Sequence, residues 1–248
     1  MTNDEKLEIY RAQTVNVSAL ASAWRSVKRS IHSALLRNDR ATAEVSTKLL
    51  ALCYSAWAEA RFSKLIHTPY GFSFDEIRQI QIAARDQDGT SSSWRKCVEL
   101  ALLRVATSQR GQLANIRQSL NRLVSDFVEA PSVLRNKLAH GQLVIALNRE
   151  NNLVNPTLTT QIDALNVVKL DRLHDALDGL ANIIEAIVEA PTLGALRDYW
   201  RLAQQVEDRL RETSGFTIED KVARLRKKKS RALKSSCLAS VPNPKEAP

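Results

Sequence analysis

Residues 131–142 read Pro-Ser-Val-Leu-Arg-Asn-Lys-Leu-Ala-His-Gly-Gln, and three of their side chains could do chemistry together: Arg135, Asn136 and His140. Arginine is a permanent cation whose planar fork grips phosphate. Histidine can move a proton near neutral pH. Asparagine adds a neutral donor and acceptor. A phosphate clamp and a proton shuttle are minimal equipment for cutting a phosphodiester without a metal. Asn136 and His140 stand four apart and share a helix face. Arg135 is rotated about 100° from Asn136, close enough to converge on one ligand. The plainer reading is that a histidine at a helix end only caps the last carbonyls and meets the dipole.

The element that must position these groups is a short helix over 132–140. Pro131 suits its first turn, where a missing N–H costs little. Leu134, Leu138 and Ala139 supply an apolar stripe. Gly141 suits the position after the last turn, where a left-handed backbone is cheap for glycine.

The run Arg135-Asn136-x-x-Ala139-His140-Gly141 resembles the motif of the HEPN superfamily of helical ribonucleases: Arg, a polar residue, a few more residues, then His, commonly within Ala-His-Gly. The resemblance implies a mainly α fold, an up-and-down helical bundle of HEPN type, here with a small β-hairpin insertion after the motif helix. It implies a metal-independent endoribonuclease, with His140 as general base or acid, Arg135 on the phosphate and Asn136 orienting one of them. It also implies a homodimer whose two motifs line one cleft, a place in a toxin or anti-phage (abortive-infection) system, and an antitoxin or other regulatory partner. Glu59, on the long second helix, is a candidate to reach the His140 region. Gln142 stands where toxins silenced by nucleotidylation carry tyrosine, which puts that route in doubt. Some members of the superfamily are inactive RNA-binding or protein-docking modules, and that reading stays open.

The bulk properties fit. The 248 residues are 44% hydrophobic with only seven glycines and seven prolines, which favours helices around a real core. No apolar run approaches 18 residues, so no membrane span is expected. The polar start, Met1-Thr2-Asn3-Asp4-Glu5-Lys6, argues against a signal peptide. Cys53, Cys97 and Cys237 suggest neither a disulfide framework nor a zinc site, and a reducing cytoplasm fits. No phosphate loop, dinucleotide turn, His-Glu-x-x-His or Gly-x-Ser-x-Gly is present, and no metal or other cofactor is expected.

Periodicity places the remaining elements. Residues 1–16 are expected to be loosely ordered, followed by a helical domain over 17–214. Leu20, Trp24, Val27, Ile31 and Leu35 mark a helix over 17–37. Val45, Leu49, Leu52, Cys53, Ala56, Trp57 and Ala60 mark the strongest one, about 42–67, capped by Thr42, with Glu59 and Arg61 on its polar side. Further helices are expected at about 75–85, 94–108 and 111–129, with a flexible loop over 86–93. The run 143–147, the turn 148–152 and residues 153–160 predict a β-hairpin beside the motif. Helices resume at about 169–190 and 193–212. His174 lies on the apolar stripe of the first and reads as a packed histidine, while His32 and His67 have no evident partner.

The net charge is +9, and Lys221, Arg224, Arg226, Lys227, Lys228, Lys229, Arg231 and Lys234 supply +8 of it with no acid between them. Residues 215–248 are therefore expected to be a basic, largely disordered tail ending in Pro242, Pro244 and Pro248. Arg224, Arg226, Lys227, Lys228, Lys229 and Arg231, with Lys137 in the motif, are the candidate RNA contacts. A helical DNA-binding regulator using this tail is a weaker alternative, because no helix-turn-helix stands out.

Overall fold

In the computed structural model the described residues are 1–86, 89–105, 111–191 and 195–239. The chain is mainly helical, and the only β-type pairing among the described residues is one isolated antiparallel bridge, Leu147 to Val154.

Helix α1 runs Asn3–Leu36. Its start is a capping box: the Thr2 hydroxyl accepts from the Glu5 N–H, and the Glu5 carboxylate accepts from the Thr2 N–H at 2.7 Å. The segment 1–16, expected to be loosely ordered, is therefore helical. It is also tied down, since Lys6 Nζ donates to the Phe72 carbonyl at 2.6 Å. The chain reverses through Asn38, at φ 56°, into α2, Arg40–Ile66. Asp39 caps α2 by accepting from the Thr42 N–H, so Thr42 is the donor and not the cap.

The buried face of α2 is Leu50, Ala51, Tyr54, Trp57, Ala58 and Leu65, rotated from the expected stripe; Val45 is 61% exposed and Leu49 is 49% exposed. The reason is that α2 packs at once against α1 and two later helices, Ala130–Ala139 and Val167–Glu189, so three neighbours decide what is covered. Arg61, expected on a solvated face, is 4% exposed. Its Nε donates to Asp178 at 3.2 Å, and its Nη2 donates to Asn182 at 2.7 Å and to Glu185 at 2.9 Å. His67 is also partnered, with Nδ1–H donating to the Ser63 carbonyl at 2.7 Å, and its burial lowers its pKa.

Helices α3 (Phe74–Asp86), α4 (Thr90–Leu103) and α5 (Leu113–Val124) follow. The start of α4 takes in part of the loop expected over 86–93; residues 87–88 of that loop and 106–108 of the helix expected over 94–108 lie outside the described residues. A π-helical turn, Ser125–Glu129, joins α5 to α6, Ala130–Ala139. It stands directly before Pro131, whose ring and missing N–H disfavour a regular α turn there.

The expected hairpin over 143–160 does not form. Asn155 caps a new helix, α7 (Pro156–Asp163), by accepting from the Leu158 N–H at 3.0 Å, and Pro156 occupies its first turn. That start signal outweighs the β-branched run, and only the bridge survives. Helix α8, Val167–Glu189, is apolar over about half of its girth and packs against α2, α4, α5 and the helix that follows it. His174 on α8 is packed as expected, stacked 4.8 Å from the Trp24 ring and 4.0 Å from the Trp57 ring. Helix α9 is Ala195–Glu212; residues 193–194 of the helix expected there lie outside the described residues.

The basic run is not a disordered tail over its described part. It forms α10, Ile218–Ala239, opened by Thr217 and Asp220 capping each other and packed against α1 and α8. Pro242, Pro244 and Pro248 lie outside the described residues.

A Cβ added at Gly179 of α8 would collide with Cγ2 of Val206 on α9. Ala in place of Gly favours a helix by about 1 kcal/mol. Overpacking against a stiff β-branched side chain costs about 1–3 kcal/mol. Gly179→Ala is therefore expected to lower the urea midpoint, and Gly179→Ala with Val206→Ala is expected to recover part of the loss.

Candidate functional site

The motif helix ends as its residues dictate. The Gln142 N–H bonds to the Lys137 carbonyl at 3.0 Å, and the Gly141 N–H bonds to the Leu138 carbonyl at 3.1 Å. This is the Schellman pattern, with Gly141 left-handed at φ 81°. His140 is the C-cap, exposed, and among the described residues no group hydrogen-bonds its ring. Asn136 is exposed one turn earlier, on the same face.

Both residues line an open groove of about 860 Å³, with Val133, Lys137, Asn148, Arg149 and Asn155 among its other walls. Its far wall is the 142–155 loop. Gln142 fixes that loop at two points, accepting from the Leu147 N–H at 2.7 Å and donating to Asn151 at 3.1 Å. Lys137 Nζ donates to the Asn148 carbonyl at 2.9 Å, so this expected RNA contact instead holds the loop to α6.

Arg135 faces the other way. Five residues at about 100° each turn it roughly 140° from His140. Its side chain is 13% exposed and lines clefts with Tyr54, Glu59, Thr90 and Leu134. Nη2 donates to the Thr90 hydroxyl at 3.2 Å and lies 3.8 Å from a Glu59 carboxylate oxygen. The expected Glu59 contact thus exists but goes to Arg135 and not to the His140 region. Within one copy the structure brings Asn136 and His140 together and does not bring Arg135 to their groove.

Sequence reasoning missed Tyr54 and Thr90. Tyr54 is buried beneath Arg135, and burial pushes its hydroxyl pKa up while the Arg135 charge opposes the rise. Neither was legible: five residues put Tyr54 about 140° from Glu59 on α2, and the Thr90 contact joins residues 45 positions apart.

The other expected RNA contacts lie elsewhere. Arg226 donates to Asn38 at 3.1 Å, and the Arg224 guanidinium sits 4.7 Å from the Phe216 ring centre. Lys227, Lys228, Lys229 and Arg231 are exposed on α10. None of the groove's lining comes from α10.

Among the described residues no group of three or more His, Cys, Asp or Glu side chains is placed to hold a metal ion. No described helix is long and apolar enough to cross a membrane. No model of a known protein family matches the chain, and neither a curated protein nor a solved structure matches it.

The Arg135–Glu59 pair is open to water on the Glu59 side, which is 69% exposed, and such a pair contributes little. Glu59→Ala is expected to shift stability by less than about 0.5 kcal/mol. Gly141→Ala forces a Cβ into left-handed backbone and is expected to cost about 1 kcal/mol or more. Urea unfolding of the two variants checks the contrast.

Proposed function

We propose that this protein is a HEPN-type endoribonuclease that cuts RNA without a metal, acts as a homodimer, and works from the end of α6. The observation that carries the reading is His140, exposed beside Asn136 over an open groove, with its ring unengaged among the described residues. In the proposed reaction His140 takes the proton of the substrate's own 2′-OH. The 2′ oxygen then attacks phosphorus, the bond to the 5′ oxygen breaks, and that oxygen takes a proton. The products are a 2′,3′-cyclic phosphate and a 5′-hydroxyl. A second copy would supply the second histidine as the acid. Arg135 would swing from Glu59 to hold the phosphate and stabilise charge in the transition state.

Dimerisation has its own support. Val133, Val144, Ile145, Leu153 and Val154, each 50% exposed or more, sit on α6 and the loop beside the His140 groove. Apolar residues gathered this way suit a protein interface, and a two-fold axis there would set two motifs face to face. An antitoxin or other regulatory partner would fit the same surface. A cytoplasmic setting suits both.

A second reading is favoured by one contact. Arg135 is already held by Glu59 and Thr90, as it would be in an inactive module that binds RNA or protein without cutting.

Incubating the purified chain with mixed RNA in EDTA separates the two. Cleavage is expected to survive EDTA, to leave cyclic phosphate ends, and to stop when the cleaved position lacks its 2′-OH. His140→Ala is expected to lose about 10²–10⁴-fold in rate. Arg135→Ala is expected to lose a comparable factor, and Asn136→Ala less. Unchanged cleavage by His140→Ala would sink the site, and RNA that is bound but never cut would hand the case to the binding module. In light scattering the chain is expected to behave as a dimer, and Val133→Glu with Ile145→Glu as a monomer.

A further inference from the structure

A second charged surface lies away from α6, where α10 packs against α1. On α10, Arg224, Lys227, Lys228 and Arg231 follow the spacing i, i+3, i+4, i+7 and so form one exposed stripe. On α1, Arg25, Lys28, Arg29 and His32 fall within about 100° of one face. No acid occurs in the chain between Glu8 and Asp39, so α1 carries none after Glu8.

The contacts join the two helices that carry these stripes. Asp171 of α8 holds Lys28 at 2.5 Å and Lys221 at 3.2 Å, clamping the start of α10 beside the last third of α1. Further along, Arg226 reaches Asn38 at the end of α1. The His32 ring, between them, has its pKa lowered first by burial and then by Lys221, Lys28 and Lys228, with Asp171 opposing. The Lys228 edge of α10 therefore borders the His32 side of α1, which carries Arg25 and Arg29. Arg25 bonds only Ser22, and Arg29, Lys227 and Lys228 have no acid within ion-pair reach among the described residues. Asp171, the acid the clamp uses, is occupied twice over.

We infer that the joined α1–α10 face is a track for a nucleic-acid phosphate backbone, with Arg25 and Arg29 of α1 as contacts alongside Arg224, Lys227 and Lys228 of α10. It rests on the reading of the chain as RNA-directed, and it gives that reading an anchor for substrate separate from the α6 groove. Two adjoining helices that each carry a row of cations suit a chain of regularly spaced charges. A lipid surface suits them less. A helix that lies on a membrane buries an apolar face, and Ile218, Val222 and Leu225 of α10 are half-buried against the body.

The test uses the full chain and a 2′-O-methyl single-stranded oligonucleotide, which cannot be cut through its own 2′-OH. Binding is thus read independently of cleavage, and a failed cleavage assay does not touch it. Affinity is measured across a salt series. Each backbone contact contributes about 0.7 to the log–log salt slope for a single strand. Arg25→Gln with Arg29→Gln is expected to flatten the slope by about 1.4 and to weaken binding about 25-fold near 0.1 M salt. The α10 set Arg224→Gln, Lys227→Gln, Lys228→Gln is expected to flatten it further. Arg25→Lys with Arg29→Lys is expected to keep the slope, which rules out a folding effect. Arg78→Gln with Arg117→Gln removes the same charge from α3 and α5 and is expected to change neither quantity. An unchanged slope in the α1 pair, an equal loss in the Arg78/Arg117 control, or binding to anionic phospholipid vesicles with none to the oligonucleotide would each overturn the inference.

Discussion

Helix α8 sets the terms for everything around it. Leu170, Ala176, Leu177, Leu180, Ala181, Ile183, Ile184, Ile187 and Val188 are all buried and form an apolar face nearly half its circumference wide. A face that wide is stable only if several neighbours cover it. Helices α2, α4, α5 and α9 do the covering, and α2 brings Arg61 into the same interface. A guanidinium that is 4% exposed would be costly alone, so Asp178, Asn182 and Glu185 must stand where they do. The charge cluster fixes the rotation of α2 against α8, which the apolar contacts alone leave freer. The same rotation aims Tyr54 at α6 and leaves Glu59 at the edge of that contact, beside Arg135.

That aim shapes the candidate site. Helix α6 has one face turned to α2 and another turned to the 142–155 loop. Arg135 belongs to the first and His140 to the second. An Arg and a His five apart on a regular helix cannot share a face, so a site using both needs Arg135 to leave Glu59 and Thr90. The Asn136–His140 pair, four apart, needs no such change. This asymmetry makes the histidine the settled part of the arrangement and the arginine the movable part.

What the sequence revealed depended on how local the governing physics was. The α6 terminus was legible because Pro131, Gly141 and the residues between them act within one turn. The packed character of His174 was legible from its apolar stripe. The capping box at Thr2 and Glu5 and the Asn155-Pro156 start of α7 were equally local, but they were outweighed in reading by weak periodicity in one case and a β-branched run in the other. Arg61 was illegible, since a lone arginine two residues from Glu59 on a long helix reads as solvated until its acids on α8 are known. The stripe on α2 was misplaced for a related reason, because three neighbours decide which side is inside. The basic run was read by composition alone, and the carboxylate that docks it, Asp171, gives no local sign of that role.

The Arg61 cluster also has a consequence in time. Arg61 and Asp178 are 117 positions apart. A ribosome adding about 5–20 residues per second needs roughly 6–23 seconds to make that stretch. Throughout that interval the α1–α2 hairpin exists without α8, with the guanidinium and the rings of Trp24 and Trp57 lacking their eventual cover. The nascent chain must therefore keep an aromatic surface and an unneutralised cation in water, or in the hands of a chaperone, until the acids of α8 emerge and close over both.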